Sequence, residues 1–286
     1  MHVYLYIMAA STDPDVCERS VPFAIDEQEI FFGPCKKNLR SDLRKRFLSQ
    51  GARSVIPTER IYLVGLNGGN AQRVRKVLWA GRVKKLMTFE NAYDGLKGER
   101  YQFMRERPAT PMHLVPIRES GSLIGYQHVG KLHSADWILD IAGRRKSSKY
   151  EVNGETVRLS RGVSAATAFA RDACMLLDNI FTAAGAGIPI DEEIVGLLRD
   201  VQHPARADEI DAYAVFGYQQ NGDVDGRRGR WLLLKGPEAS RLLGIITDRG
   251  EALKPKQRPI DRLETSDSCR CDPEERDEDG DENGGC

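Results

Sequence analysis

The residues able to do chemistry are few and widely spaced. Cys35 lies in Gly33-Pro34-Cys35-Lys36-Lys37, where neighbouring cations would lower a thiol pKa and favour a reactive thiolate. It also follows Phe31 and Phe32, and cysteine is among the most buried residue types, so a packed and inert thiol is the favoured reading. The histidines are His2, His113, His128, His133 and His203. His128 and His133 stand five apart with Asp136 close behind, a candidate acid–base group for an enzyme acting on nucleotides. That spacing is not a familiar zinc pair and no cysteine lies near it, so no metal site is expected. Trp137, Ile138, Leu139 and Ile141 surround Asp136 and Asp140, which argues for an ordinary strand or helix edge instead. Gly68-Gly69 follows a strand-like run, as a phosphate-cradling loop would. It lacks both the GxGxxG spacing and a glycine-lysine-serine/threonine ending, so a hairpin turn fits better. Cys269-Arg270-Cys271 has no further ligand to complete a set, and no cofactor is implied.

Cations interleaved with aromatic rings give a denser signal. Tyr62 and Trp79 fall in two neighbouring strand-like runs among Arg73, Arg75, Lys76, Arg82, Lys84 and Lys85. Rings can stack on bases while cations hold phosphates. Lys36, Lys37 and Arg40 follow the apolar knot Phe31–Cys35 and would neutralise phosphates, and Asn67 lies in the turn between the two runs. The candidate binding set is therefore Lys36, Lys37, Arg40, Tyr62, Asn67, Arg73, Arg75, Lys76, Trp79 and Arg82. A core position for Trp79 is the alternative.

The charge distribution points the same way. Residues 29–107 hold 18 basic and 7 acidic side chains, whereas residues 264–286 hold 2 basic and 10 acidic ones. The chain as a whole has 42 of each. Segregation of this kind suits contact with nucleic acid or phosphate, or self-screening, with a solvated charged face as the plain alternative. At 286 residues and 41% hydrophobic content the chain can bury a real core. No apolar run approaches the roughly 18 residues of a membrane span. The first ten residues are too short and too soon polar for a secretory leader. The six cysteines have no framework spacing, so a reducing, cytoplasmic setting is expected.

The elements that must position these residues follow from patterning. Residues 2–8 read as a strand. Residues 36–50 carry Leu39, Leu43 and Phe47 at helical spacing. Arg60–Gly65 and Val74–Met87 read as adjacent antiparallel strands joined through Asn67–Asn70. The cations of the second make it unsuited to a central, doubly buried place, so one of its faces should be wet or ligand-covered. Thr88 is the expected N-cap of a helical turn bearing Phe89 and Tyr93. Residues 97–111 read as a loop, and Met112–Ile117, Leu123–Val129 and Trp137–Ile141 as short strands. Residues 164–182 carry a stripe of Phe169, Ala173, Leu176, Leu177 and Ile180 that predicts a helix, and Asp191–Val201 predicts another. Ile210–Gln219 and Arg230–Lys235 predict a hairpin, Pro237–Ile246 a short helix, and the acidic end is too polar to order itself.

The order of motifs in the first half resembles the bacterial and phage nucleotide modification associated domain proteins, the second family of that set. The resemblance rests on Phe32-Gly33-Pro34-Cys35-Lys36-Lys37-Asn38-Leu39-Arg40, a strand ending in Gly65, Leu78-Trp79-Ala80-Gly81-Arg82-Val83, and Met87-Thr88-Phe89-Glu90-Asn91-Ala92-Tyr93. It covers about residues 1–145. This chain has lysine at 37 where the family pattern has proline, and Pro57-Thr58-Glu59-Arg60 where a glycine-aspartate-tryptophan approach is expected. The resemblance implies a small barrel of the PUA, ASCH and EVE kind that handles modified nucleotides or nucleic acid. The expectation is thus an α+β protein: a mostly antiparallel, partly closed PUA-like barrel with helical cover over 1–145, a helix-plus-hairpin extension over 150–253, and an acidic disordered tail over 254–286. Its expected partner is nucleic acid, with DNA carrying a modified base as the specific case, bound without chemistry of its own; the alternative is an enzyme acting on nucleotides or modified DNA through Cys35 or the His128/His133/Asp136 group.

Overall fold

The computed structural model describes residues 1–10, 23–26, 29–33, 37–68, 76–105, 112, 114–128, 137–140, 149–152, 155–159, 172–182, 187–198 and 231–252. In chain order the elements are β1 (His2–Ala10), β2 (Phe23–Ala24), β3 (Ile30–Phe32), α1 (Lys37–Phe47), β4 (Ser54–Val55), β5 (Ile61–Gly68) and β6 (Lys76–Thr88). Then come α2 (Phe89–Gly95), a 3-10 helix (Glu99–Arg105), β7 (Leu114–Glu119), β8 (Ser122–His128), β9 (Trp137–Asp140), β10 (Lys149–Val152) and β11 (Glu155–Leu159). The last are β12 (Ala173–Thr182), β13 (Ile188–Pro189), α3 (Glu192–Leu198), β14 (Trp231–Lys235), α4 (Gly236–Arg249) and β15 (Glu251–Ala252).

The fold is α+β with a large, mostly antiparallel sheet. Its main path runs β14-β1-β5-β6-β12-β3-β2, with β4 and β13 also on β6 and β15 on β12. Among the described residues only β1 and β5 run parallel within it. A second sheet, β10-β11-β9-β8-β7, has β11 parallel to β9 and is otherwise antiparallel. The larger sheet begins at β14 and ends at β2 without closing, which corrects the expectation of a partly closed barrel.

Both faces of the larger sheet are covered. On one, Val3, Leu5, Val64, Leu66, Val77 and Ala80 pack with Ile194 and Leu198 of α3 and Leu242 and Ile246 of α4. On the other, Tyr4, Tyr6, Leu63, Trp79, Val83 and Leu86 pack with Leu39 and Leu43 of α1, the residues whose helical spacing marked that helix. A third cluster joins Met87, Phe89, Cys174 and Leu176 to Leu114 and Tyr126 of the second sheet. Thr88 caps α2 as expected, its Oγ1 accepting from the Asn91 amide at 3.1 Å. Asp191 caps α3 in the same way, accepting from the Ile194 amide at 3.2 Å.

Four expectations need correction. Residues 173–182 form a strand, because their apolar residues serve two faces at once: Ala173, Met175 and Leu177 enter one cluster, and Cys174 and Leu176 the other. A strand between β6 and β3 buries both sets, which a one-sided helix could not do. Residues 164–171 of that stretch lie outside the described residues. Next, β6 is central and covered on both faces, the place its cations argued against. Third, residues 99–105 form a 3-10 helix where a loop was expected. Finally, β12 and β14 complete the sheet built by residues 1–88, so the larger sheet crosses the boundary placed near 145–150. The strand at 231–235 pairs with β1, while Ile210–Gln219, the acidic tail and the turn at 69–75 lie outside the described residues.

Candidate nucleic-acid interface

The expected pairing of the two basic runs is present: β5 and β6 are antiparallel, with Tyr62 opposite Arg82 and Gly65 opposite Trp79. Trp79, however, is fully buried. Its indole lies over Gly65, where a Cβ would overlap the ring nitrogen, and its ring packs edge-on to Tyr6 with centroids 5.9 Å apart. No face of it is open to a base, and the core reading holds. Arg40 is buried too, at 3% exposure. Its guanidinium donates to the Ala173 carbonyl at 2.5 Å and stands 5.5 Å from the Phe89 ring centroid. It fastens α1 to β12 and α2 and cannot hold a phosphate from there.

Two of the cations of β6, Arg82 and Lys84, are accommodated by acids from distant parts of the chain. Arg82 faces Asp178 directly across β6 and β12 and binds it twice, at 2.8 and 2.7 Å. That fork raises the Arg82 pKa, with burial acting against it. Lys84 falls at a register shift, since Val83 pairs with Leu177 and Lys85 with Leu176. The bulge releases its side chain from the ladder, and its Nζ reaches Glu29 at 2.8 Å. Arg100 of the 3-10 helix binds Glu29 and Asp26. A basic strand therefore sits in the middle of a sheet with two of its cations answered by acids across the ladder and at the bulge.

A second charged centre is deeply buried. Arg44 Nε meets Asp172 at 2.9 Å, with side chains 4% and 2% exposed. The Tyr126 hydroxyl donates to the other Asp172 oxygen at 3.1 Å and accepts weakly from the Glu90 amide at 3.4 Å. The Asp172 carbonyl accepts from the Phe89 amide at 2.7 Å. Burial pushes the Asp172 carboxyl up to about 6, with Arg44 and Tyr126 opposing it, and pushes the Tyr126 hydroxyl well above its ordinary value. The adjacent Cys174 thiol is fully buried and pushed up for the same reason, so it is no nucleophile. These groups join α1, α2, β12 and the second sheet at one point. Among the described residues no three His, Cys, Asp or Glu side chains gather as metal ligands.

Of the remaining candidates, Tyr62 is half-buried against the α3–α4 side of the sheet, and Lys76 is half-buried at the start of β6. Lys37 opens α1 and Asn67 lies near the end of β5, but nothing is described of their side chains. Lys36, Arg73, Arg75, Cys35, His133 and Asp136 lie outside the described residues, and His128 is described only as the last residue of β8. Sequence reasoning missed Glu29, Asp172 and Asp178, the acids that neutralise the basic segment. Their partners lie 55 residues away for Glu29 and 96 for Asp178, and no local pattern marks such a pair.

No family model matches the chain, and neither a curated protein nor a solved structure does. No helix among the described residues is long and apolar enough to cross a membrane.

Proposed function

We propose that this protein binds nucleic acid without chemistry of its own. The observation that carries the reading is how positive charge is divided within residues 29–107. Arg44, Arg46, Arg82, Lys84 and Arg100 are each paired with an acid. Lys45, Arg60 and Lys97 are exposed, Lys85 is half-buried, and among the described residues none of the four has an acidic partner. Internal neutralisation therefore leaves a remainder at the surface, the part of the charge that a polyanion could use. Lys36, Lys37, Arg73 and Arg75 belong to the same proposed set by sequence, with Tyr62 and Asn67 beside them. The resemblance to the nucleotide modification proteins adds DNA with a modified base as the ligand to try first.

A binding panel tests this: plain and base-modified DNA, each single- and double-stranded, at several salt concentrations. The expected result is binding that weakens steeply with salt, and preference for a modified base would add the finer claim. Absence of salt-sensitive binding to every member would overturn the reading.

A further inference from the structure

Ile56 is 74% exposed, and it is the large hydrophobic residue left in solvent among the described residues. A single exposed isoleucine ordinarily needs no explanation. This one is held out on a braced support. The Arg53 carbonyl accepts from the Thr88 amide at 2.9 Å. Ser54 and Val55 pair with Met87 and Leu86 of β6. The Arg60 carbonyl accepts from the His2 amide at 2.8 Å. Ala52 and Val55 pack against the same core cluster as Leu48 and Phe47 near the end of α1, and the Phe47 ring lies 5.6 Å from that of His2. Pro57 follows at once and fixes its own φ. The chain thus projects Ile56 from a loop anchored on both sides, with the half-buried Pro57 behind it.

The charges around the tip are mostly positive. Arg53 is 64% exposed, with only a long 3.5 Å approach to Glu90. Arg60 is exposed without an acidic partner among the described residues. Glu59, the one acid of the loop, is turned to His2 Nδ1 at 2.8 Å. An apolar tip of isoleucine and proline between arginines matches the chemistry by which proteins wedge open a base step from the minor groove. A protein partner would need an apolar surface around the tip, and the flanking residues here are charged.

We infer that Ile56, backed by Pro57, forms a wedge that enters a base step of duplex DNA while Arg53 and Arg60 hold the flanking phosphates. This rests on the nucleic-acid reading above. The duplex is kinked at the wedged step, and steps that unstack easily are favoured.

The test uses the full chain and a duplex of about 25 base pairs carrying a fluorescent donor and acceptor at its ends. Wild type should bring the ends together and bind a duplex with a central mismatch several-fold tighter than a perfect one. Ile56→Ala shortens a side chain that lies mostly in solvent, so the protein should stay folded. It should lose most of the bend and the mismatch preference, yet keep its salt dependence, because no phosphate contact is lost. Arg53→Ala with Arg60→Ala should instead flatten the salt dependence. An Ile56→Ala protein that bends and discriminates like wild type overturns the wedge. Salt-dependent binding without bending overturns the wedge and leaves the nucleic-acid reading standing. No binding to any nucleic acid overturns both.

Discussion

At Asp172 one buried carboxylate meets Arg44 Nε at 2.9 Å and the Tyr126 hydroxyl at 3.1 Å. Taking both charges of the ion pair out of water is costly, so the pair adds little net stability, but each partner depends on the other. Arg44→Met or Asp172→Leu alone should cost about 3–5 kcal/mol, because each strands a buried charge or its partner. The double substitution should recover most of that loss, as denaturant unfolding of the four proteins would reveal; additive losses would argue against the pairing. The same carboxyl makes a pH prediction. Its folded pKa of about 6 lies above the ordinary 3.8, so the folded protein takes up this proton before the unfolded chain does. The sign follows: this group's contribution to stability grows as pH falls through that window, and shrinks as pH rises through about 6. Carboxyl NMR should place its titration midpoint near 6 in the folded protein, and a midpoint near that of an exposed aspartate would contradict the burial argument. Nothing around Asp172 in sequence foretold this role, since its charged partner lies in α1, far earlier in the chain.

Among the elements, β6 shows most plainly what could be read from the sequence. Its extended form, its glycine-bearing partner β5 and the capped turn after it were legible, because alternation, turn residues and a threonine cap are local signals. Its central place was not legible. Cation density argued for an edge, and the acids that offset it, Glu29 and Asp178, come from the residue before β3 and from β12. For β12 the failure had another cause: a short apolar run buried on both faces looks the same to helical and extended periodicity. Trp79 divides the two accounts of β6. As a fully buried ring between Tyr6 and Phe32, Trp79→Ala should cost about 3–5 kcal/mol in unfolding free energy. It should leave the salt slope of any nucleic-acid binding unchanged. A folded, fully stable Trp79→Ala protein with weakened binding would restore the stacking role and contradict its burial.

At the scale of the whole molecule, a chain of zero net charge holds a strongly basic segment and an acidic end. The α+β class and the segregation of charge were legible in composition and pattern. The joining of β12 and β14 to the sheet of residues 1–88 was not, because strand order depends on which apolar faces find each other across long separations. Folding then sorts the cations into those answered by the protein's own acids and those left for a partner. The claim at the centre of this account is that the second group, together with the loosely held Arg53, binds nucleic acid. The most direct measurement is the salt dependence of duplex binding by three proteins: wild type, Lys45→Ala/Arg60→Ala, and Arg82→Ala/Lys84→Ala. Wild type should show log K falling against log salt with a slope of about −3 to −5. Loss of the two unpartnered cations should flatten that slope by about two units, while loss of the two paired ones should lower thermal stability and leave the slope unchanged. A flat response in the wild type, or equal flattening by both substitutions, would contradict it.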